Sequence, residues 1–531
     1  MYLFVLPGLL FKFMQSKDTT IECKESIEGS SPTHSITEKP VEAVENKAES
    51  EFDRKYGARR SDLPTYRIKE VSEHNVSEKR IWVTYRHGVY DITDWVATHP
   101  GGKKILLAAG KSLEPFFATY AVHKSKLAMD IMEELRIGNL HPSDMNMVKP
   151  KASDDPYYND PQRHPALKVN SEKPFNAETP IELVADSFLT PNDLFFVRNH
   201  LPVPKVDANS HKLVMMGEGM TKPISLSVNE LKKFFKNKTI TATIQCAGNR
   251  RSEMALMKQV KGLPWATNAI SNAKWTGVML SDILKYVGVE EDAVEHIIMQ
   301  GMDTDIEGVP YEASIPASTA FDPRRDVMIA WGMNGEDLPL DHGYPLRAVI
   351  PGVVGARNIK WLSKIVLSKE ESQSHWQQND YKTFNPSIDW NTVDFSKAVA
   401  IQEYPVQSAI CDPQNGVTLD DAHEVTISGY AWSGGGQGIL RVDVSIDGGK
   451  TWIDADLNRE GKQPLHREWA WTLWETTLSI PEGHKGKLQI VCKATDTSHN
   501  NQPDTPEGIW NLRGLFHNAW HRVNVTVPDD E

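Results

Sequence analysis

The sequence predicts a multidomain α+β protein, and three observations predict it. A chain of 531 residues exceeds what one hydrophobic core serves and divides into two to four domains. Around residues 80–123, short alternating strands lie beside a helix-loop-helix pattern, and a further strand runs into Cys246. Near the C-terminus Leu440, Val442, Val444 and Ile446 alternate cleanly with Arg441, Asp443 and Ser445 before the Asp447-Gly448-Gly449 turn, which predicts an immunoglobulin-like β-sandwich over 401–531. Hydrophobic residues at 40% and charged residues at 24% describe ordinary globular domains. The net charge of −13 argues against nucleic acid and for basic protein partners.

Residues 1–63 open with MYLFVLPGLLFKFM, an apolar run shorter than the roughly 20 residues a spanning helix needs. It suits the hydrophobic core of a targeting segment, although it lacks both repeated Arg and a small-residue cleavage site. The acidic, Ser/Thr/Pro-rich stretch behind it cannot bury enough apolar surface to order itself. We read 1–63 as a targeting segment and disordered leader, with no stable membrane span.

Residues 64–140 carry two histidines of interest. His99 ends a short predicted helix over Asp91–Thr98, and Pro100-Gly101-Gly102 holds it on a tight loop. His123 follows behind AAGKSLEPFFATYAV, with Leu106, Leu107, Phe116 and Phe117 as an apolar lining. Two imidazoles across an apolar slot can fill both axial positions of a haem iron, which then shuttles single electrons. HPGG with its partner at this spacing closely resembles the cytochrome b5 domain. His74, His87 and His141 have no such context. Residues 141–163 are rich in Pro, Asp, Asn and Ser and read as a flexible linker.

Over 164–400 the centre is TATIQCAGNRRSEM, residues 241–254. A thiol at a strand end, beside Arg250 and Arg251, is expected to be held as thiolate, the form that ligates metals. Around it in sequence stand Phe196, Val197, Arg198, Asn199 and His200, then Trp265, Asp303, His342, Tyr344, Arg347, Asn358, Ile359 and Lys360. Singly, each has an ordinary structural role: Trp265 in a core, Arg347 on a surface, Tyr344 in a turn before Pro345. Together they supply the cations and donors that a bulky anionic cofactor and an oxyanion require, Arg being suited to both by its permanently charged fork. No GxGxxG follows a strand, so a nicotinamide fold is not indicated. The other cysteines, Cys23, Cys411 and Cys492, lack CxxC spacing and imply no zinc site or disulfide framework. Cys411 and Cys492 are expected as free buried thiols.

QCAGNRR resembles the molybdenum-binding segment of eukaryotic sulfite oxidases and assimilatory nitrate reductases, and the resemblance extends over nearly everything after residue 64. It implies a molybdenum–molybdopterin cofactor with Cys246 as the metal's protein ligand, a soft donor suited to a transition metal, and a b-type haem held by His99 and His123. It places Phe196 to His200, Asp303, His342, Arg347 and Asn358 to Lys360 on pterin- and phosphate-binding positions. Arg198, Arg251, Trp265, Tyr344 and Arg513 (in WNLRG) fall on the substrate pocket, with Tyr344 assisting coupled proton and electron movement. The implied enzyme, of animal sulfite oxidase type, oxidises sulfite to sulfate and passes electrons through the haem to cytochrome c. It is a homodimer through 401–531, in the mitochondrial intermembrane space. A nitrate reductase-like enzyme is the alternative, but there the haem module follows the molybdenum domain and a flavin domain comes last. A non-catalytic haem-binding scaffold is the other.

Overall fold

The computed structural model describes residues 55–529 apart from 77–78, 100–101, 120–122, 124, 146–155, 159, 306, 422 and 462. The targeting segment and most of the leader, Cys23, Pro100, Gly101 and much of the expected linker lie outside the described residues. The chain forms two compact units, Met1–Val148 and Lys149–Glu531. No helix among the described residues is long and apolar enough to cross a membrane.

The first unit is built on a four-stranded sheet in the order Thr65–Tyr66, Arg136–Leu140, Gly88–Asp91, Trp82–Tyr85. Val71, Val89 and Leu140 form its apolar centre. The helix expected over Asp91–Thr98 is a 3₁₀ turn, Thr93–Thr98, because Asp91 closes a strand and spends its carboxylate on the Thr93 N–H at 3.1 Å. His99 follows that turn directly. Of its expected lining, Phe116 and Phe117 are buried while Leu106 is 37% exposed.

Among the described residues the second unit holds five sheets. Two five-stranded sheets carry the candidate site. One runs Lys238–Gln245, Ile270–Met279, Met328–Met333, Glu336–Asp337, with Arg347–Val349 also paired to Met328–Met333. The other runs Pro310–Pro316, His296–Thr304, Lys364–Ser368, Lys212–Gly217, Ile224–Ser227. A small sheet of Lys168–Glu172, Phe175–Glu178 and Val197–Arg198 flanks them. The expected sandwich is present as two four-stranded antiparallel sheets with their own core around Val425, Ile427, Val442, Val444 and Ile490.

Two expectations change. The alternation of 440–446 slips at its start: Val442 and Val444 are buried, but Leu440 is 44% exposed and Ile439 takes its place inside. The register shifts between Ile439 and Arg441, and an extra residue in one strand turns every earlier side chain to the opposite face. The linker does not extend to 163, since Arg163 is half of a buried ion pair with Asp341 (2.8 Å) and lies 4.0 Å over the Phe175 ring. Packing is continuous across the 400/401 boundary. One apolar core joins Ile297 and Ile365 of a catalytic-side sheet to Tyr430, Trp432 and Trp471 of the sandwich. Cys411 and Cys492 are free and buried, as expected. Burial pushes both thiols up, Cys492 to about 12.

Candidate functional site

Cys246 comes immediately after the strand Lys238–Gln245, which pairs antiparallel with Ile270–Met279 in the register Gln245 to Ile270. That pairing fixes the thiol-bearing backbone. The Cys246 N–H donates to Ala269 O at 2.9 Å, and its carbonyl accepts from Asn249 N–H at 2.9 Å and from the Tyr404 hydroxyl at 3.2 Å. The chain then turns through Arg250, at a left-handed φ of 62°, into the helix Arg251–Met257.

The two neighbouring arginines have different tasks. Arg250 is turned away from the thiol and fully buried. It pairs with Glu253 at 2.6 Å and donates to the carbonyls of Ala519 (2.7 Å), Ser408 and Trp520. It ties the Cys246 loop to the sandwich, so the expectation of two guanidinium groups at the thiol reduces to one. Arg251 is the one that acts on Cys246: burial lowers its pKa, and the Cys246 thiol is the largest influence opposing that. Its side chain donates to Arg513 O at 3.0 Å and Leu263 O at 2.9 Å. It threads a slot that requires glycine. A Cβ on Gly262 (φ +146°) would stand 2.6 Å from Arg251 Cζ, and one on Gly514 (φ +58°) 2.7 Å from its Cγ.

Burial alone would raise the Glu253 carboxyl, but the Arg250 guanidinium holds it down at about 2, below the ordinary glutamate value of 4.5. Its stabilising contribution is therefore complete above pH 4.5 and is lost as pH falls through about 2. Glu253→Gln is expected to melt below the wild type at neutral pH, with the gap closing on acidification. A gap constant with pH in thermal melts would show that this pair does not hold the loop.

In front of Cys246 lies a cleft. Of the residues singled out in the sequence, Phe196, Arg198, His200, Cys246, Asp303, His342, Arg347, Asn358 and Lys360 line it, together with Phe195, Tyr311, Trp361 and Tyr381. Arg198 projects from the strand Val197–Arg198, donating to Asn176 Oδ1 at 3.0 Å and Asn199 O at 2.6 Å. Arg347 is held by His342 O at 3.0 Å and lies 4.8 Å over Trp275; burial lowers it to about 9. Lys360 donates to Asp341 O at 2.8 Å and to Asn199 Oδ1, and burial lowers it to about 7. Burial pushes Asp303 up to about 7, and its Oδ1 has no partner. His342, lowered to about 3 by burial, and His200, lowered well below 6.5 by burial beside Arg198 and Lys360, are neutral imidazoles.

Several expected residues support the cleft without lining it. Val197 packs with Leu167, Phe175 and Ala177, Ile359 lies in the main core, and Asn199 holds Lys360 and Asp341. Trp265 is 1% exposed in the same apolar cluster as Cys246. Arg513 forms an ion pair with Asp380; burial, with Arg251 and Arg198 nearby, lowers it to about 10. Tyr344 is half-buried in the turn before Pro345, packs on the cluster of Phe195 and Trp265 and, like Arg251, Trp265 and Arg513, is not among the lining residues. The tyrosines that line the cleft are Tyr311 and Tyr381, and the Tyr381 hydroxyl lies 2.6 Å from His200 Nε2. Burial raises its phenol while Arg198 pulls it down. The sequence around Tyr381 has neither strand alternation nor helical period, so no local pattern marks it.

The residues fit a phosphate-bearing cofactor held through one sulfur: a single thiol, an unpartnered buried carboxylate oxygen at Asp303, and the cations of Arg198, Arg347 and Lys360 share one cleft. In the first unit, the His99 and His123 rings are half-buried, 6.2 Å apart between centroids with planes 16° apart. Phe117 stacks on His123 at 5.0 Å. Burial and the second imidazole lower His99, keeping a nitrogen lone pair available. That pair fits bis-imidazole ligation of a haem.

Three family models match: the cytochrome b5-like heme/steroid binding domain over 67–141, the oxidoreductase molybdopterin binding domain over 200–376, and the Mo-co oxidoreductase dimerisation domain over 398–528. The chain is 51% identical to the mitochondrial sulfite oxidase of Rattus norvegicus, over 87% of this chain and 84% of that protein. It is 33% identical to the nitrate reductase [NAD(P)H] of Hordeum vulgare, over 72% of this chain but 45% of that one. Among solved structures, the sulfane dehydrogenase SoxCD of Paracoccus pantotrophus matches with a TM-score of 0.56 and 26% identity, over 67% of this chain and 87% of that one.

Proposed function

The chain belongs to the sulfite oxidase family, and from that premise we propose how its own residues carry the reaction. The protein oxidises sulfite to sulfate with a molybdenum–molybdopterin cofactor and a b-type haem. Sulfite gains an oxygen from water while two protons and two electrons leave. When bound, the molybdenum group supplies the two-electron acceptor and the haem relays electrons singly. The observation that carries the reading is the meeting of one thiol, Cys246, with Arg198 and Arg251 at a cleft lined by buried cations.

Cys246 would hold the metal through its sulfur. Arg347, Lys360, His342 and Asp303 would hold the pterin and its phosphate, with Phe196 and Asn358 beside them and Val197, Asn199 and Ile359 as support. Arg198, Arg251 and Arg513 would neutralise the sulfite dianion in a water-poor pocket, where such charge is most effective. Trp265 would wall that pocket. The Tyr381 hydroxyl and the neutral His200 Nε2, 2.6 Å apart, make a donor–acceptor pair that can pass a proton.

His99 and His123 would ligate the haem iron, and cytochrome c would take the electrons, a basic acceptor being favoured by a chain of net charge −13. The mitochondrial naming of the rat relative puts the protein in mitochondria; we assign it to the intermembrane space, as a homodimer through its dimerisation domain. The test separates the two centres. His123→Ala should lose its six-coordinate haem spectrum and cytochrome c turnover about 100-fold or more, a loss of ~3 kcal/mol in barrier terms. Sulfite oxidation with a small-molecule acceptor should persist. Undiminished cytochrome c reduction would remove the haem from the path.

A further inference from the structure

Tyr381 is delivered to the cleft by a π-helical turn, Trp376–Asp380, with the Tyr381 N–H donating to Trp376 O at 3.3 Å. Turns this wide are rare and are frequent at functional sites. Three outside groups meet Gln377 in this turn: the Ser314 N–H on its Oε1 at 3.1 Å, Glu371 on its Nε2, and Arg357, at the end of the 3₁₀ turn Gly355–Arg357. Arg357 is 0% exposed. Its Nη1 donates to Gln377 Oε1, inside the π-turn, at 2.6 Å, and its Nε donates to Ile401 O at 3.2 Å. The Ile401 N–H in turn donates to Tyr381 O at 3.0 Å, so one guanidinium grips both flanks of the tyrosine.

The same guanidinium lies 5.9 Å from the Tyr381 ring centroid, and its charge also acts on Tyr311, whose ring stacks on His200 at 4.5 Å. Arg357 makes no ion pair with a described residue, and its Nη2 has no partner. Glu371 is reached only through Gln377 Nε2, at 2.9 Å. For the fold alone, an apolar side chain of similar volume would serve better than a buried, unpaired cation.

We propose that Arg357 is a positioning residue for sulfite oxidation, locking the π-turn through Gln377 so that the Tyr381 hydroxyl stays on His200 Nε2. This rests on the reading of Tyr381 as the cleft's proton-handling group. Arg357→Lys keeps the charge and loses the fork. The test is a double-mutant cycle read as kcat/KM per bound molybdenum in the full-length holoenzyme. Arg357→Lys should lose tenfold or more in the wild-type background and less than twofold further in Tyr381→Phe. Gln377→Leu, which cuts the same link from its other end together with the Ser314 and Glu371 bonds, should show the same coupling to Tyr381→Phe and decides the matter should Arg357→Lys not fold. Losses that multiply in the Tyr381→Phe background, or single variants within twofold of wild type, overturn the proposal. A silent Tyr381→Phe instead overturns the reading of the tyrosine.

Discussion

Cys246→Ser is expected to fold, keep its haem and lose sulfite turnover by about 10³-fold or more, ~4 kcal/mol at 1.36 kcal/mol per decade. The change removes one soft donor and little volume. The loop itself does not depend on the sulfur. The Cys246 N–H is satisfied by Ala269 O and its carbonyl by Asn249 and Tyr404, and Arg250 anchors the next turn to the sandwich. A serine hydroxyl is a hard and weakly acidic ligand, poorly matched to a metal that a thiolate holds. Steady-state sulfate formation, normalised to haem, reads the effect. Loss of activity with intact haem absorbance and an unchanged melting temperature is the expected pattern.

The second large effect is at Arg251. Arg251→Gln keeps a donor but removes the charge, and kcat/KM for sulfite should fall about 10²–10³-fold, as when one preorganised donor to a developing charge is lost. Gly262→Ala should produce a similar loss while leaving every charged residue in place. Its Cβ would occupy space 2.6 Å from Arg251 Cζ, at a φ of +146° that alanine rarely adopts, so the guanidinium must leave its slot between Leu263 O and Arg513 O. Sulfite titrations of the two variants check this. A Gly262→Ala enzyme with wild-type kcat/KM would mean that the position of Arg251 is unimportant.

How much of this was legible in the sequence depended on whether the signal was local. Cys246 at a strand end and the loop histidine His99 are marked by their neighbours in the chain, and one directly follows a strand, the other a 3₁₀ turn. The run Asp341 to Arg347 sends His342 and Arg347 into the cleft, but Tyr344 between them occupies the turn before Pro345. The family resemblance points to Tyr344, whereas the tyrosines that line the cleft are Tyr311 and Tyr381. Tyr381 follows a π-turn that Arg357 contacts through Gln377, and neither has a periodic signature. Arg250 and Arg251 look equivalent in QCAGNRR, and only the carbonyls of Ala519, Trp520 and Ser408 on a distant sandwich separate them. The slip at Leu440 has the same origin, because a bulge is decided by the partner strand.

The most direct measurement is rapid-mixing absorbance of the haem after sulfite is added to the oxidised holoenzyme, in wild type and in Cys246→Ser. The account predicts that the six-coordinate haem of the wild type is reduced within seconds, without any added reductant, and that the serine variant's haem stays oxidised. Equal reduction in both would contradict it, because electrons would then reach the His99–His123 centre without the thiol-bound one.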